Sequence, residues 1–264
     1  MQKHSNIMIK SMSVTVLLLT LSACGGSGTA TNVQTLWTSP NIANLGVVRA
    51  THAQQNGVGL VENVNSTVKY ETFEVTSVQS ASVNSDGSVN GTITVRWADG
   101  SQGVVSGIWY GSGDELSGIY GSVTANSVSI WASGSPATNI PAGNFTYAGQ
   151  AITAYNYGDN TYDEDGTFTM NLNFSSNSGS LTAYMEESTY ANSNLSVNSS
   201  GNIIGSGGKF YIYSNENKNT LLATRTDITF NGTVHNSGAT HVTGLAVGGA
   251  NGVDATIVAI AGKR

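Results

Sequence analysis

The sequence predicts an all-β, antiparallel protein, and three observations carry that prediction. Apolar and polar residues alternate with period two, Asp-Gly and Asn-Gly pairs punctuate the alternation, and no long segment keeps a capped 3.6-residue period. Val89 to Trp97 alternates in this way. Thr167 to Phe174 does so most cleanly, with Phe168, Met170, Leu172 and Phe174 on one face. Lys209 to Tyr213 and Asp227 to Val234 continue the pattern. Apolar residues on one face with Thr and Asn on the other fit strands that bury a single face. Asp86-Gly87, Asp99-Gly100, Asp165-Gly166, Asn231-Gly232 and Asn251-Gly252 predict tight hairpin turns, since these residues tolerate the positive φ such turns need. Only brief stretches such as Leu181 to Tyr190 read otherwise.

The chain opens on a basic head (Lys3, His4, Lys10) and a short apolar run from Val14 to Leu21. Leu21-Ser22-Ala23-Cys24 follows, and then Gly25-Gly26. Basic head, short apolar run and small residues before a cut form the layout of a secretory signal. The run falls far short of the ~20 residues of a spanning helix. Its ending resembles the lipobox of bacterial lipoproteins, in which the cysteine is acylated and becomes the new N-terminus. Residues 1–23 are thus the expected signal peptide and Cys24 the expected lipidation site. Cys24 is the chain's only cysteine, so no intramolecular disulfide competes for it. Residues 24–32, rich in Gly, Ser and Thr, have the composition of a flexible tether.

Removing Lys3 and Lys10 with the signal takes the formal charge from −6 to −8. Sparse, scattered cations exclude a nucleic-acid partner, because phosphate binding needs concentrated positive charge. They equally exclude electrostatic docking on anionic lipid, which leaves the acyl group as the membrane link.

Breakers concentrate between Ser133 and Gly143, and this divides the chain into an N-terminal β-rich domain (33–137) and a C-terminal domain (138–264). All four tryptophans, Trp37, Trp97, Trp109 and Trp131, precede the boundary. Val105 to Ser112 echoes Leu116 to Ser122, which predicts two neighbouring strands in similar surroundings; a repeat architecture would need about three copies.

The second half opens Pro141-Ala142-Gly143-Asn144-Phe145-Thr146-Tyr147-Ala148-Gly149. It closes with Phe230-Asn231-Gly232-Thr233-Val234, Val242-Thr243-Gly244-Leu245-Ala246-Val247-Gly248 and Ala259-Ile260-Ala261-Gly262-Lys263-Arg264. This resembles the C-terminal barrel of the transferrin-binding-protein-B-like surface lipoproteins, a group that includes factor-H-binding proteins and hemophilins. Two of the family's closing phenylalanines read Leu245 and Ile260 here. The resemblance implies an eight-stranded antiparallel β-barrel preceded by a strand-built handle or clamp-like domain that carries ligand binding. It also implies that the barrel is read by an outer-membrane translocator, which places the lipid-anchored protein on the cell surface.

Catalytic signatures are wanting. Gly111-Ser112-Gly113 and Gly205-Ser206-Gly207-Gly208 lack the following helix and Gly-Lys-Ser/Thr ending of a phosphate loop, and read as hairpin turns. The acidic run Asp159 to Gly166 offers oxygen ligands for Ca²⁺, yet lacks EF-hand spacing and reads as a solvated turn. His52, His235 and His241 have no zinc-site spacing. His235 and His241 read as loop residues of the barrel. Read from the residues alone, His52 is also an exposed loop histidine. The family resemblance adds another role for it, an axial haem ligand with Arg49 near a propionate. Trp and Tyr serve equally as binding hot spots and as β-core residues. At least two tryptophans are expected in the core, and Trp109 with Tyr110 on the ligand surface.

The resulting expectation is a non-enzymatic surface lipoprotein that needs no cofactor. It captures an iron source, haem or a host iron-carrying protein, and presents it to an outer-membrane receptor. Binding of a complement regulator, adhesion without an iron role, and a purely structural envelope role are the alternatives.

Overall fold

The computed structural model describes residues 42–55, 58–62, 69–97, 99–111, 117–124, 127–135, 137–158, 160–249 and 255–264. The signal segment, Cys24, the tether, Trp37 and the Asn251-Gly252 pair lie outside the described residues. So do the side chains of Arg49 and His52, although their backbone is placed.

Every regular element among the described residues is a strand. The N-terminal part holds β1 (Ile42–Gln55), β2 (Val58–Glu62), β3 (Lys69–Val83), β4 (Val89–Trp97), β5 (Gln102–Tyr110), β6 (Ser117–Thr124) and β7 (Ser127–Gly134). The C-terminal part holds β8 (Asn144–Tyr157), β9 (Asn160–Asn173), β10 (Ser178–Met185), β11 (Ser188–Val197) and β12 (Asn202–Tyr213). It ends with β13 (Leu221–His235), β14 (His241–Gly248) and β15 (Thr256–Lys263). Asp86-Gly87 and Asp99-Gly100 form the β3–β4 and β4–β5 turns, and both glycines have positive φ.

β8 to β15 form a closed antiparallel barrel, in which β8 pairs with both β9 and β15. Closure removes the exposed sheet edge. The interior is packed by alternate residues, among them Tyr147, Phe168, Met170, Leu172, Phe210, Phe230 and Ile260. The predicted apolar face of β9 thus lines the barrel, a filled core and not a channel.

The N-terminal strands form a sheet in the order β2-β1-β3-β4-β5-β6-β7, which β1 closes on itself by also pairing with β7. The two echoing phrases are β5 and β6, paired with Ile108 opposite Ile119. Val89, Ile93, Val95, Val105, Trp109, Tyr120 and Trp131 fill this second ring.

A third apolar cluster joins the two bodies. Ile108, Tyr110, Ile119, Ile130 and Ala132 on the outer face of the sheet meet Ala154, Leu245, Ile257, Ala259 and Ala261 on the outer wall of β8, β14 and β15. Small alanines on the barrel side let the sheets approach closely.

Several local expectations are corrected. Asp165-Gly166 and Asn231-Gly232 lie within β9 and β13, not in turns. These glycines serve close strand approach. A Cβ on Gly166 would lie 2.0 Å from the Tyr184 carbonyl oxygen, and one on Gly232 would lie 2.6 Å from that of Thr243. Asp163, Glu164 and Asp165 therefore belong to a strand and not to a solvated loop. Leu181 to Tyr190 spans the β10–β11 hairpin.

Candidate functional site

Arg49 and His52 both lie on β1. In backbone register Arg49 is opposite Trp131 of β7, while His52 is opposite Val128 of β7 and Val61 of β2. His52 thus occupies a strand paired on both sides, not the exposed loop expected of it.

The expectation that Trp109 and Tyr110 are exposed is also corrected. Trp109 is 1% exposed and Tyr110 2%. Adjacent strand residues point to opposite faces, so both are hidden only if each face is covered. Here both are. Trp109 points into the N-terminal ring and Tyr110 into the seam against the barrel. Trp131 joins Trp109 in the core, which meets the expectation of at least two core tryptophans.

Inside the ring the aromatics form a ladder. Trp97 stacks on Trp131 at 5.4 Å, Trp131 on Tyr120 at 5.6 Å, and Tyr120 on Trp109 at 6.1 Å. Glycines opposite the rings make room for them: a Cβ on Gly118 would come within 2.7 Å of the Trp109 ring. The ladder is the packed core of this sheet, and Trp131 within it sits on β7 opposite β1.

Polar groups gather at the seam, where the Lys263 contact with Asp86 crosses from one body to the other. Tyr110 donates through its hydroxyl to Asp86 Oδ2 at 3.2 Å, and Lys263 Nζ donates to the Asp86 carbonyl oxygen at 2.6 Å. Burial and the neighbouring Asp86 carboxylate push the Tyr110 phenol well above its ordinary range. Partial burial opposes ionisation of Asp86, but hydrogen bonds from the Ser88 hydroxyl and amide hold its carboxyl below the usual value.

His235 and His241 are not loop residues. They close the β13–β14 ladder opposite each other, at the seam. His235 is fully buried, with Nδ1 3.0 Å from the Ser135 carbonyl and Nε2 2.7 Å from Thr243 Oγ1. Its ring packs against Gly134, where a Cβ would intrude to 2.5 Å. Burial lowers its pKa to about 3. Burial and the nearby Lys263 ammonium lower that of His241 to about 4. Both imidazoles are neutral at physiological pH.

At one end of the barrel, the buried Glu164 carboxylate accepts from the Tyr155 hydroxyl at 2.6 Å, the Ser188 hydroxyl at 2.8 Å and the Glu187 amide at 3.1 Å. Lys218 Nζ donates to the carbonyls of Met185, Glu186 and Ser188. The Arg225 guanidinium donates to the backbone carbonyls of Asn156 and Ala255. These charges are satisfied by the protein's own groups, as buried charges must be, and they tie strand ends together. Asp165 differs: burial, then Asp163 and Glu186, push its carboxyl up to about 6.

On the outer wall of β10, β11 and β12 lies a cleft of about 250 Å³ lined by Thr182, Asn192, Ser193, Lys209 and Tyr211, among others. The sequence reading did not single it out. Its one signal is Lys209-Phe210-Tyr211-Ile212-Tyr213, where the polar-tipped residues alternate outward from a strand whose Phe210 and Ile212 point into the barrel.

No family model matches the chain, and no curated protein sequence does. Solved structures do match. A double mutant of the vaccine antigen transferrin-binding protein B from Haemophilus parasuis Hp5 matches with a TM-score of 0.51 at 12% identity, over 83% of this chain and 44% of that one. A single mutant of the same antigen matches with a TM-score of 0.50 at 12% identity. Intact Ap-TbpB, with its N and C lobes, matches with a TM-score of 0.51 at 11% identity, over 83% of this chain and 46% of that one. The chain spans less than half the length of these structures. At such identities the likeness is one of fold.

Proposed function

We propose that this protein, built on the fold of transferrin-binding protein B, is a non-enzymatic, lipid-anchored capture protein of a Gram-negative outer membrane. Its cargo is an iron source, haem or a host iron-carrying protein, which it presents to an outer-membrane receptor. The observation that carries this reading is the presence of two closed β bodies, barrel and N-terminal ring, in a fold similar over 83% of the chain to that of a protein named for binding transferrin. Leu21-Ser22-Ala23-Cys24 supports the anchor and a place on the cell surface, reached through a translocator that reads the barrel.

The interiors support binding without chemistry. Both bodies are filled by side chains, so a partner meets outer faces and loops, and the buried charges are engaged by backbone and hydroxyl groups. The work of the fold is presentation. The barrel is a rigid base, the seam transmits its orientation, and the aromatic ladder keeps the N-terminal domain from deforming as cargo docks. In the haem version, His52 supplies an axial nitrogen; Arg49, an odd number of positions away on the same regularly paired strand, falls on the other face of the sheet and leaves the propionate role. Trp109 and Tyr110 support this from the core and make no direct contact with cargo.

The test pairs a haemin titration of the signal-less protein, followed by visible absorption, with capture of iron-loaded transferrin on immobilised protein. A saturable Soret change at one equivalent, lost in His52→Ala, supports haem capture. Saturable retention of iron-loaded transferrin supports the host-protein version. Absence of both overturns the reading.

A further inference from the structure

We propose that the cleft across β10, β11 and β12 is a binding site for a single acidic sugar ring, one that carries a carboxylate. This inference is independent of iron capture and concerns a different face of the molecule.

The cleft exists because the barrel wall is interrupted there. The β10–β11 register steps between Gly179 and Leu181, so β11 carries an extra residue opposite this point. The β11–β12 pairs stop at Ala191–Lys209 and resume only at Leu195–Gly205. On the far side of β12 the register shifts three more times, between Gly205 and Gly208, between Gly208 and Phe210 and, at the strand end, between Ile212 and Tyr213. Gly207, at φ 66°, takes a backbone conformation that suits glycine. Bulges bend a strand and re-aim its side chains, and they gather beside functional sites. The register shifts fall in the β10–β11 and β12–β13 ladders, the other barrel ladders being in regular register, and they flank a concavity of about 250 Å³.

The lining is suited to a sugar. Thr182 and Ser193 offer hydroxyls, and Tyr211 a ring with a polar tip. Tyr184 lies in the same cross-strand row as Tyr211, each directly opposite Thr189, and is 55% exposed. Tyr211 offers a flat apolar face for the C–H face of a pyranose and a hydroxyl for its rim, and Tyr184 stands outside the cleft on the same row. Asn192, 3% exposed, also lines the cleft. Its Oδ1 accepts the Asn194 amide at 2.8 Å, and its Nδ2 donates one hydrogen to the Tyr190 hydroxyl at 3.2 Å. A primary amide has two N–H groups, so one hydrogen is left for a ligand oxygen.

Lys209 sets the charge of the ligand. Among the described residues it is the only charged one lining the cleft, on a chain whose formal charge is −6 before processing. A lone cation among hydroxyls and an amide selects a carboxylate-bearing ring over a neutral one. The volume lies below the usual range of drug-sized sites, which suits one sugar ring and excludes a porphyrin.

The location frees the cleft for a second contact. The N-terminal sheet covers β14, β15 and β8, centred on β15. In the barrel order β11 is four strands from β15 in either direction. The cleft is therefore on the wall turned away from the N-terminal domain, and both faces can be occupied at once.

The experiment is saturation-transfer NMR and calorimetric titration of the signal-less protein with N-acetylneuraminic acid, glucuronic acid and galactose. The first two separate a sialic-acid source from a uronic-acid source, and galactose is the neutral control. We expect saturable binding of at least one acidic sugar, at least ten-fold weaker binding of galactose, and a ten-fold or greater loss in Lys209→Gln at an unchanged thermal midpoint. Failure of both acidic sugars to saturate, galactose binding as tightly as they do, or unchanged affinity in Lys209→Gln would each overturn the proposal.

Discussion

Acidification should loosen this protein through His235, and the magnitude follows from its burial. In the folded chain its pKa is about 3, against 6.5 for the free side chain. A base whose folded pKa is depressed contributes its full stability above the unfolded pKa. That stability is lost as pH falls from 6.5 toward 3, because the unfolded chain takes up the proton first. At pH 5 the unfolded imidazole is nearly all protonated and the folded one is neutral. The difference amounts to about 1.5 pH units of linkage, or about 2 kcal/mol. This figure depends only on the folded pKa lying well below 5. The assay is urea unfolding at pH 7.5 and pH 5.0 for the wild type and for His235→Gln, whose amide can still reach the Ser135 carbonyl. Carboxylates titrate in both proteins, so the difference between the two isolates the imidazole. The wild type should lose about 2 kcal/mol more than the variant over this interval. Equal losses would mean that His235 is hydrated or already charged at the seam, and would refute the packing described for it.

Other substitutions test the remaining parts. Asp165→Asn should stabilise the protein at pH 7.5 by about 1 kcal/mol, after discounting its raised pKa for partial exposure, and the gain should vanish by pH 4 as Asp165 itself protonates. Trp109→Ala should cost about 3–5 kcal/mol in unfolding measurements, as truncation of a buried aromatic does; a near-neutral effect would return Trp109 to the surface. Gly107→Ala should cost at least about 1–3 kcal/mol and weaken the near-ultraviolet dichroism of the aromatic ladder, because the new methyl would lie 2.2 Å from the Ile119 carbonyl oxygen.

Strand content and the inward face of β9 were legible because alternation is a local property. The barrel was legible only through its closing phrases, since Phe230, Gly244 and Ile260 meet across the sheet and not along the chain. Asp165-Gly166 and Asn231-Gly232 misled because one dipeptide serves two physical ends, positive φ in a turn and absence of a Cβ where strands crowd. Trp109 and Tyr110 misled for a related reason. Single-face alternation assumes a wet face, but β5 is covered on one side by the ladder and on the other by Leu245, Ile257 and Ala259. His235 and His241 looked like loop residues until the β13–β14 ladder set them opposite each other at the seam. The β10–β12 cleft depends on register breaks among strands, which no local pattern records.

The most direct measurement of the central claim is iron-source capture by the signal-less protein, with haemin and iron-loaded transferrin offered in parallel and His52→Ala as the paired variant. The account predicts saturable one-to-one binding of one of them. It predicts loss of binding in the variant if the cargo is haem, and retention if the cargo is transferrin. A folded protein that binds neither would contradict the account and leave the shared fold without the shared task.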